Sequence, residues 1–240
     1  MRALIFVLVT CSAACCNAQA LRWGFATADG MPYVDVVDQQ LRGGFIYQLG
    51  QEASQRLGLA VHFVETPNKR VEEFMQRGHI HVICNNNPQW MAEPLRYHWP
   101  PPLYEEEDVL LQHRQQTPIG SLDDLYGKVL GTQLGYVYSV PLMAAFANHQ
   151  VIRRDVRDLR TSLNLLKKQR LDAIIDMRRP IDFQLAQGPA APLQFSPWVI
   201  QRYEMHCTYG PTLPVSAEQL DSVLQELRDT GNISQMLDNI

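Results

Sequence analysis

Apolar and polar positions along the chain follow two alternating rhythms. Leu21 to Thr27 reads as a strand and runs into turn signals at Asp29-Gly30 and Pro32. Apolar residues then recur at Phe45, Leu49, Ala53 and Leu57, the spacing of one helical face, and Gly58 supplies a stop. Leu59 to Val64 alternates as a strand. Val71 to Arg77 reads as a short helix ended by Gly78, and Ile80 to Cys84 as a buried strand. The Pro-rich stretch Pro94 to Pro102 breaks the rhythm. Beyond it the pattern predicts a strand over Glu105 to Leu111, a loop from Gln115 to Gly120 and a capped short helix at Ser121 to Leu125. A strand at Val129 to Thr132, helices at Val140 to Asn148 and Leu159 to Lys168, and a strand at Leu171 to Ile175 follow. Pro and Gly cluster from Gly188 to Pro197. The chain closes with a strand near Tyr203 to Tyr209 and an amphipathic helix from Ala217 to Asp229. Strands alternating with helices predict an α/β architecture with parallel sheet.

Two segments echo one another. Phe74 to Cys84 aligns without gaps on Leu165 to Ile175, each the tail of a helix, a polar turn and a buried strand. Asn85 and Asp176 therefore occupy equivalent places just past the C-terminal ends of matching strands. Ligands of open α/β sheets bind at such ends. Two lobes facing each other would put the two residues across one cleft.

With 240 residues, 46% hydrophobic and 19% charged, the chain is long enough for one large domain or two small ones. The composition excludes a disordered tail, collagen, a coiled coil and a disulfide mini-protein. A mean hydropathy of -0.20 without a second long apolar run argues against a multispanning membrane protein. A net charge of -4 gives no basis for nucleic-acid binding.

The five cysteines are unevenly placed, three of them (Cys11, Cys15, Cys16) in the first sixteen residues. There Met1-Arg2 precedes the apolar run Ala3 to Val9, and the stretch ends in the small-x-small pattern Ala18-Gln19-Ala20. Residues 1–20 read as a signal peptide cleaved after Ala20 rather than as a membrane anchor or a buried first strand. Neither Cys11 nor Cys15 has the flanking residues of a lipidation site, so soluble export is expected, with no membrane insertion after cleavage. Cys84 and Cys207 remain, in a compartment that permits a disulfide. Sequence leaves open whether they meet, and two separate buried thiols are the simpler reading.

Among chemically suggestive residues, His79 and His81 could share a strand face, yet no third ligand accompanies them, so no metal is expected. Glu105-Glu106-Glu107-Asp108 reads as the solvated start of a strand. The turn Gly135 to Ser139 precedes a helix whose free N–H groups suit an anion. Trp90 could stack on a flat or cationic ligand. No nucleophile elbow, zinc-protease helix motif or phosphate-binding Gly loop occurs, so neither catalysis nor a cofactor is expected.

Taken in order, several segments resemble the bacterial periplasmic solute-binding proteins of the amino-acid-binding type (solute-binding family 3). They are Met31-Pro32-Tyr33, Gly44-Phe45, Pro102-Leu103-Tyr104, Ile119 to Lys128 leading into Val129-Leu130-Gly131, Gly135 to Tyr138, Leu171 to Asp176, and Leu227 to Leu237. The resemblance implies a type II periplasmic-binding-protein-like fold: two α/β lobes joined by two crossover strands, with a ligand cleft between them. Lobe one would comprise residues 21–112 and 201–240, lobe two 113–200. It further implies a monomeric periplasmic protein that captures a small polar solute, an amino acid or related compound, for the permease of an ABC transporter in the inner membrane. Relatives on this scaffold also include dehydratases and sensor input domains, which stand as alternatives.

For the site, the resemblance implies that Tyr33 packs on the ligand and that Asp176 takes its ammonium group. The Thr-x-x-Arg element that holds an amino acid's carboxylate in the family is replaced here by Asn87-Pro88-Gln89-Trp90, and Arg96 is the nearest cation. The candidate ligand-binding set is Tyr33, Asn85, Asn87, Trp90, Arg96, Tyr136, Tyr138 and Asp176.

Overall fold

A computed structural model describes residues 20–188 and 191–238; the expected signal peptide, except Ala20, lies outside the described residues. Strand β1 (Ala20–Phe25) is followed by a hairpin of β2 (Asp35–Val37) and β3 (Gln40–Gly43), then by helix α1 (Phe45–Arg56). β4 (Ala60–Glu65), α2 (Val71–Gln76) and β5 (Val82–Asn86) complete the first half. After the long strand β6 (Tyr104–His113) the plan repeats with β7 (Val129–Gln133), α3 (Val140–Ala147), β8 (Ile152–Val156), α4 (Leu159–Lys167), β9 (Ala173–Met177) and α5 (Arg178–Ala186). β10 (Leu193–Tyr209) crosses back, and α6 (Ala217–Asp229) and α7 (Asn232–Asp238) follow.

The strands form one sheet in the order β4-β1-β5-β10-β6-β9-β7-β8. β1, β4 and β5 are parallel on one side, and β7, β8 and β9 are parallel on the other. Between them β6 and β10 pair antiparallel along most of their lengths, each serving both halves. The result is two lobes around separate cores. Trp23, Phe45, Leu49, Met205 and Leu224 belong to the first. In the second, Leu110, Leu130 and Ile175 pack on one face of the sheet, and Leu111, Leu163 and Ile174 on the other. α1 buries Phe45, Ile46, Leu49 and Ala53 on one stripe, and large aliphatic or aromatic side chains of this kind stabilise by about 1.5–3 kcal/mol each when fully buried.

The internal echo is structural. Val82 and Ile83 pair with Trp23 and Gly24, while Ala173 and Ile174, their counterparts in the gap-free alignment, pair with Leu130 and Gly131. A Cβ on Gly24 would lie 2.9 Å from Ile80 Cδ1, and one on Gly131 would lie 2.6 Å from Leu171 Cδ1. Ile80 and Leu171 are themselves counterparts, so each lobe uses a glycine to admit an equivalent apolar side chain two residues ahead of β5 or β9.

Several elements depart from the expectation. The β2–β3 hairpin turns at Asp38-Gln39, both with positive φ (50° and 61°), without the glycine that normally marks such a turn. β8 carries Arg153, Arg154 and Asp155 on the outer edge of the sheet, where charge is favoured and an apolar pattern is missing. α5 starts directly at the end of β9, with no turn signal between them. β10 begins ten residues before the expected strand. Pro197 lies within a register shift between Phe195 and Val199, so its missing N–H interrupts no ladder bond. Cys84 and Cys207 form a disulfide between neighbouring β5 and β10, correcting the reading of two separate thiols. Among the described residues no helix is long and apolar enough to cross a membrane.

Candidate functional site

The C-terminal ends of the parallel strands in both lobes converge on a cavity of about 100 Å³, room for a small organic molecule. Asp29, on the turn after β1, and Asn68, Lys69 and Glu72, after β4, contribute from the first lobe. The end of β5 adds Ile83 to Asn86, and the turn beyond it adds Trp90 and Met91. From the crossing strand β6 comes Asp108, and from the second lobe Gly135 to Tyr138 and Met177.

Local backbone chemistry places these groups. Gly44, with φ +85°, lets the N-terminus of α1 close on the segment after β1: Phe45 and Ile46 donate their N–H groups to the carbonyls of Pro32 and Tyr33, each at 3.0 Å. A Cβ there would lie 2.5 Å from the Tyr33 carbonyl oxygen, so the approach requires glycine. Asn85 sits at a β-bulge between β5 and β10 with φ +55°, a conformation Asn tolerates better than most residues. Its Oδ1 accepts from the Tyr104 hydroxyl at 2.6 Å, and it shares the cavity wall with Asp29. Asp29 in turn accepts from the Tyr136 hydroxyl at 2.8 Å, a bond that spans the cleft.

Of the expected residues, Asn85, Trp90, Tyr136 and Tyr138 come together on the cavity wall. Trp90 stands edge-on to Tyr203 with ring centroids 5.0 Å apart. Tyr138 is buried, its hydroxyl accepting from the Gln133 N–H at 2.9 Å. Tyr33 lies behind the wall, stacked on Tyr104 and donating to Glu106. Asn87 is occupied locally: its Oδ1 accepts from Gln89 N–H and its Nδ2 donates to the Glu204 carbonyl, both at 2.9 Å. Arg96 lies on the exposed surface and pairs with Glu93 at 2.9 Å, away from the cavity. Asp176 is buried one residue before the lining Met177; it accepts from Gln133 Nε2 at 2.6 Å and from the Met177 N–H at 2.8 Å.

The strongest departure from expectation is the acidic run. Glu106 and Asp108 are buried, so the segment is not a solvated strand start. Alternate residues of β6 turn inward, the two-residue period by which the pair could have been read from sequence. Glu106 is matched by Arg179 at 2.7 Å, and Glu107 by Arg178 at 3.1 Å and Arg202 at 2.9 Å. Asp108 accepts only a neutral partner, the Tyr203 hydroxyl at 3.0 Å. Among the described residues, no Lys, Arg or His makes an ion pair with Asp29, Asp108 or Asp176.

Burial without a counter-ion penalises the charged form. Desolvation raises Asp29 to about 6, against the opposing effect of the Tyr136 hydrogen bond and of the neighbouring Asn85 and Asn68 side chains. Desolvation raises Asp108 to about 7, helped by repulsion from Asp176 and Glu106. It raises Asp176 likewise to about 7, with Asp29 and Glu106 adding to the effect. Near neutral pH the three carboxyls are therefore partly protonated, and a ligand cation would favour their charged forms. Asp29, Asp108 and Gln133 were missed in sequence because each lies in a segment whose local pattern names a turn or strand and nothing else. His81, by contrast, has a structural place: its Nδ1 accepts from the Arg22 N–H at 3.1 Å, and burial and Arg22 push its imidazole down to about 4. Among the described residues no three metal-ligating side chains gather.

No protein-family model matches the chain, and no curated protein matches it. Solved structures do. An ancestral arginine-binding protein bound to arginine superposes with a TM-score of 0.77 at 19% identity, over 92% of this chain and 97% of that one. An amino acid ABC transporter substrate-binding protein from Streptococcus pneumoniae bound to L-arginine gives a TM-score of 0.74 at 16% identity, over 92% and 93% of the two chains. The ancestral amino acid-binding protein AncCDT-1, a precursor of cyclohexadienyl dehydratase, gives 0.72 at 17% identity, over 92% and 94%. With its shared sheet, two crossing strands and cleft, the chain has the two-lobed type II periplasmic-binding-protein fold.

Proposed function

We propose that the chain is a divergent family 3 solute-binding protein, exported to the periplasm, which captures a small positively charged solute between its lobes and presents it to an ABC permease. The lobes are residues 21–112 with 201–240, and 113–200. The observation that carries this reading is a cavity walled by both lobes and lined by two carboxyls without counter-ions among the described residues, Asp108 buried and Asp29 half-buried. A buried charge needs a charged or hydrogen-bonded partner, and a cation entering the cleft supplies one. Contacts from both lobes favour the closed form, the usual basis of hinge closure. The Asp29–Tyr136 hydrogen bond is one such cross-cleft contact.

Within the candidate set, Asn85, Trp90, Tyr136 and Tyr138 would contact the solute directly. Asp176 would act from behind through the field it shares with Asp29 and Asp108, and Tyr33 by holding the wall. The test is a thermal-shift screen of amino acids, polyamines and small organic acids, together with native mass spectrometry of protein purified from the periplasm. A co-purifying cation, or stabilisation by cations alone, is the expected result. If nothing co-purifies and no compound raises Tm, the solute-binding reading falls.

A catalytic reading has one observation in its favour: Asp108 and Asp176 are buried with neutral hydrogen-bond partners, which pushes both carboxyls up to about 7 and suits them to proton transfer at neutral pH. Conversion of a bound solute, followed by mass spectrometry, would replace the first reading with this one.

A further inference from the structure

We propose that the cavity is built for a small organic cation with two positive centres and no carboxylate, an alkyl diamine or an aminoalkyl guanidine. This rests on the solute-binding reading above and narrows it. Asp29 and Asp108 reach the wall from separate segments, one after β1 and the other on β6, so they offer two anionic positions rather than one. The protein has guanidinium groups close by, yet spends them elsewhere: Arg179 on Glu106, Arg178 and Arg202 on Glu107. Asp108, the next residue along β6, keeps only the Tyr203 hydroxyl.

A ligand carboxylate, by contrast, finds no partner in the depth of the cavity. Among the described residues no arginine lines it, and the one basic lining residue, Lys69, stands on the exposed rim beside Gly135, with Glu72 on the same segment. The second lobe contributes Gly135 to Tyr138 to the wall, but neither Ser139, the N-cap of α3, nor Val140, its first residue, lines it. An α-carboxylate would sit among like charges, which disfavours binding as strongly as a matched charge favours it. Trp90, Tyr136 and Tyr138 supply apolar faces for a methylene chain and cation–π contact for its ends.

The experiment is calorimetric titration of the full chain at pH 8 with two matched pairs, agmatine against L-arginine and cadaverine against L-lysine, which differ only by the α-carboxylate. At least one decarboxylated member is expected to bind ten-fold or more tighter than its amino acid. Asp108→Asn and, separately, Asp29→Asn should each weaken that binding at least ten-fold, with circular dichroism confirming the fold. If L-arginine or L-lysine binds as tightly as its amine, the dication proposal is overturned while the solute-binding reading stands. If none of the four binds, the proposal is again overturned. Native mass spectrometry then separates the cases, because a co-purified neutral or anionic solute preserves the broader reading and an empty protein with no screen hit removes both.

Discussion

The ends of β5 and β9 make an instructive pair. They follow matching helix tails, pair in the same register with β1 and β7, and each has an equivalent apolar side chain, Ile80 or Leu171, packed against a glycine. Within two residues they part. β5 breaks into a bulge at Asn85 and is tied to β10 by the Cys84–Cys207 disulfide. β9 continues in regular register with β6 through Asp176 and Met177. The first end is neutral: its amide accepts from Tyr104 and lines the cavity together with Asp29. The second is acidic, and its carboxylate lies behind the wall, adding field without contact. The difference shows how one supersecondary unit, used twice, can divide labour: covalent and conformational constraint on one side of a cleft, electrostatic bias on the other.

The comparison is broken most severely by removing the staple. The Cys84→Ala, Cys207→Ala double variant opens a link between residues 123 apart in sequence, and constraints over loops of this size contribute about 2–5 kcal/mol. Urea unfolding should show that loss, and limited proteolysis should find the first new cleavage sites near the β5 end rather than the β9 end. An unchanged midpoint would remove the disulfide from the account of the first lobe.

On the acidic side, pH is the lever. Asp108 and Asp176 keep their protons in the folded state up to about pH 7, whereas the unfolded chain releases them near 3.8. Folding therefore binds protons in that window, and stability of the ligand-free protein falls as pH rises from about 4 to about 7. The contribution is on the order of 2–4 kcal/mol per carboxyl. Asp176→Asn should flatten the decline and raise stability at pH 8, because Gln133 can turn its free Oε1 toward the new amide. A decline of unchanged slope in that variant would show that Asp176 is not strained by burial.

The smallest effects test the equivalence itself. Gly24→Ala and Gly131→Ala should both destabilise, by about 1–3 kcal/mol as overpacked core positions do. Gly131→Ala should be the worse, since Leu171 Cδ1 at 2.6 Å and Ile174 Cγ2 at 3.0 Å both crowd the new methyl. Absence of a loss in either variant by thermal unfolding would mean that the two lobes do not share this packing constraint.

Local patterns carried much of the fold. The gap-free echo placed β5 and β9 in equivalent positions, and the helical stripe of α1 is buried as its spacing requires. What escaped is physically coherent. β8 is a charged edge, the β2–β3 turn uses Asp and Gln where glycine is usual, and β10 accommodates a proline in a bulge. The cavity was only half visible. Asn85, Trp90, Tyr136 and Tyr138 sit where strand ends and turns were read, but Asp29 and Asp108 acquire their character from what surrounds them. Two adjacent acidic residues, Glu106 and Glu107, look the same as Asp108 in sequence until three arginines from distant segments pair with them and leave it alone.

The central claim, that uncompensated carboxylates in the cleft hold a cationic solute, is tested most directly by proton release on binding. Agmatine titrated into the protein at pH 6.5, in buffers of different ionisation enthalpy, should drive the partly protonated Asp29, Asp108 and Asp176 to their charged forms. The account predicts release of about one proton or more per ligand bound. Binding with no net release, or with proton uptake, would contradict it.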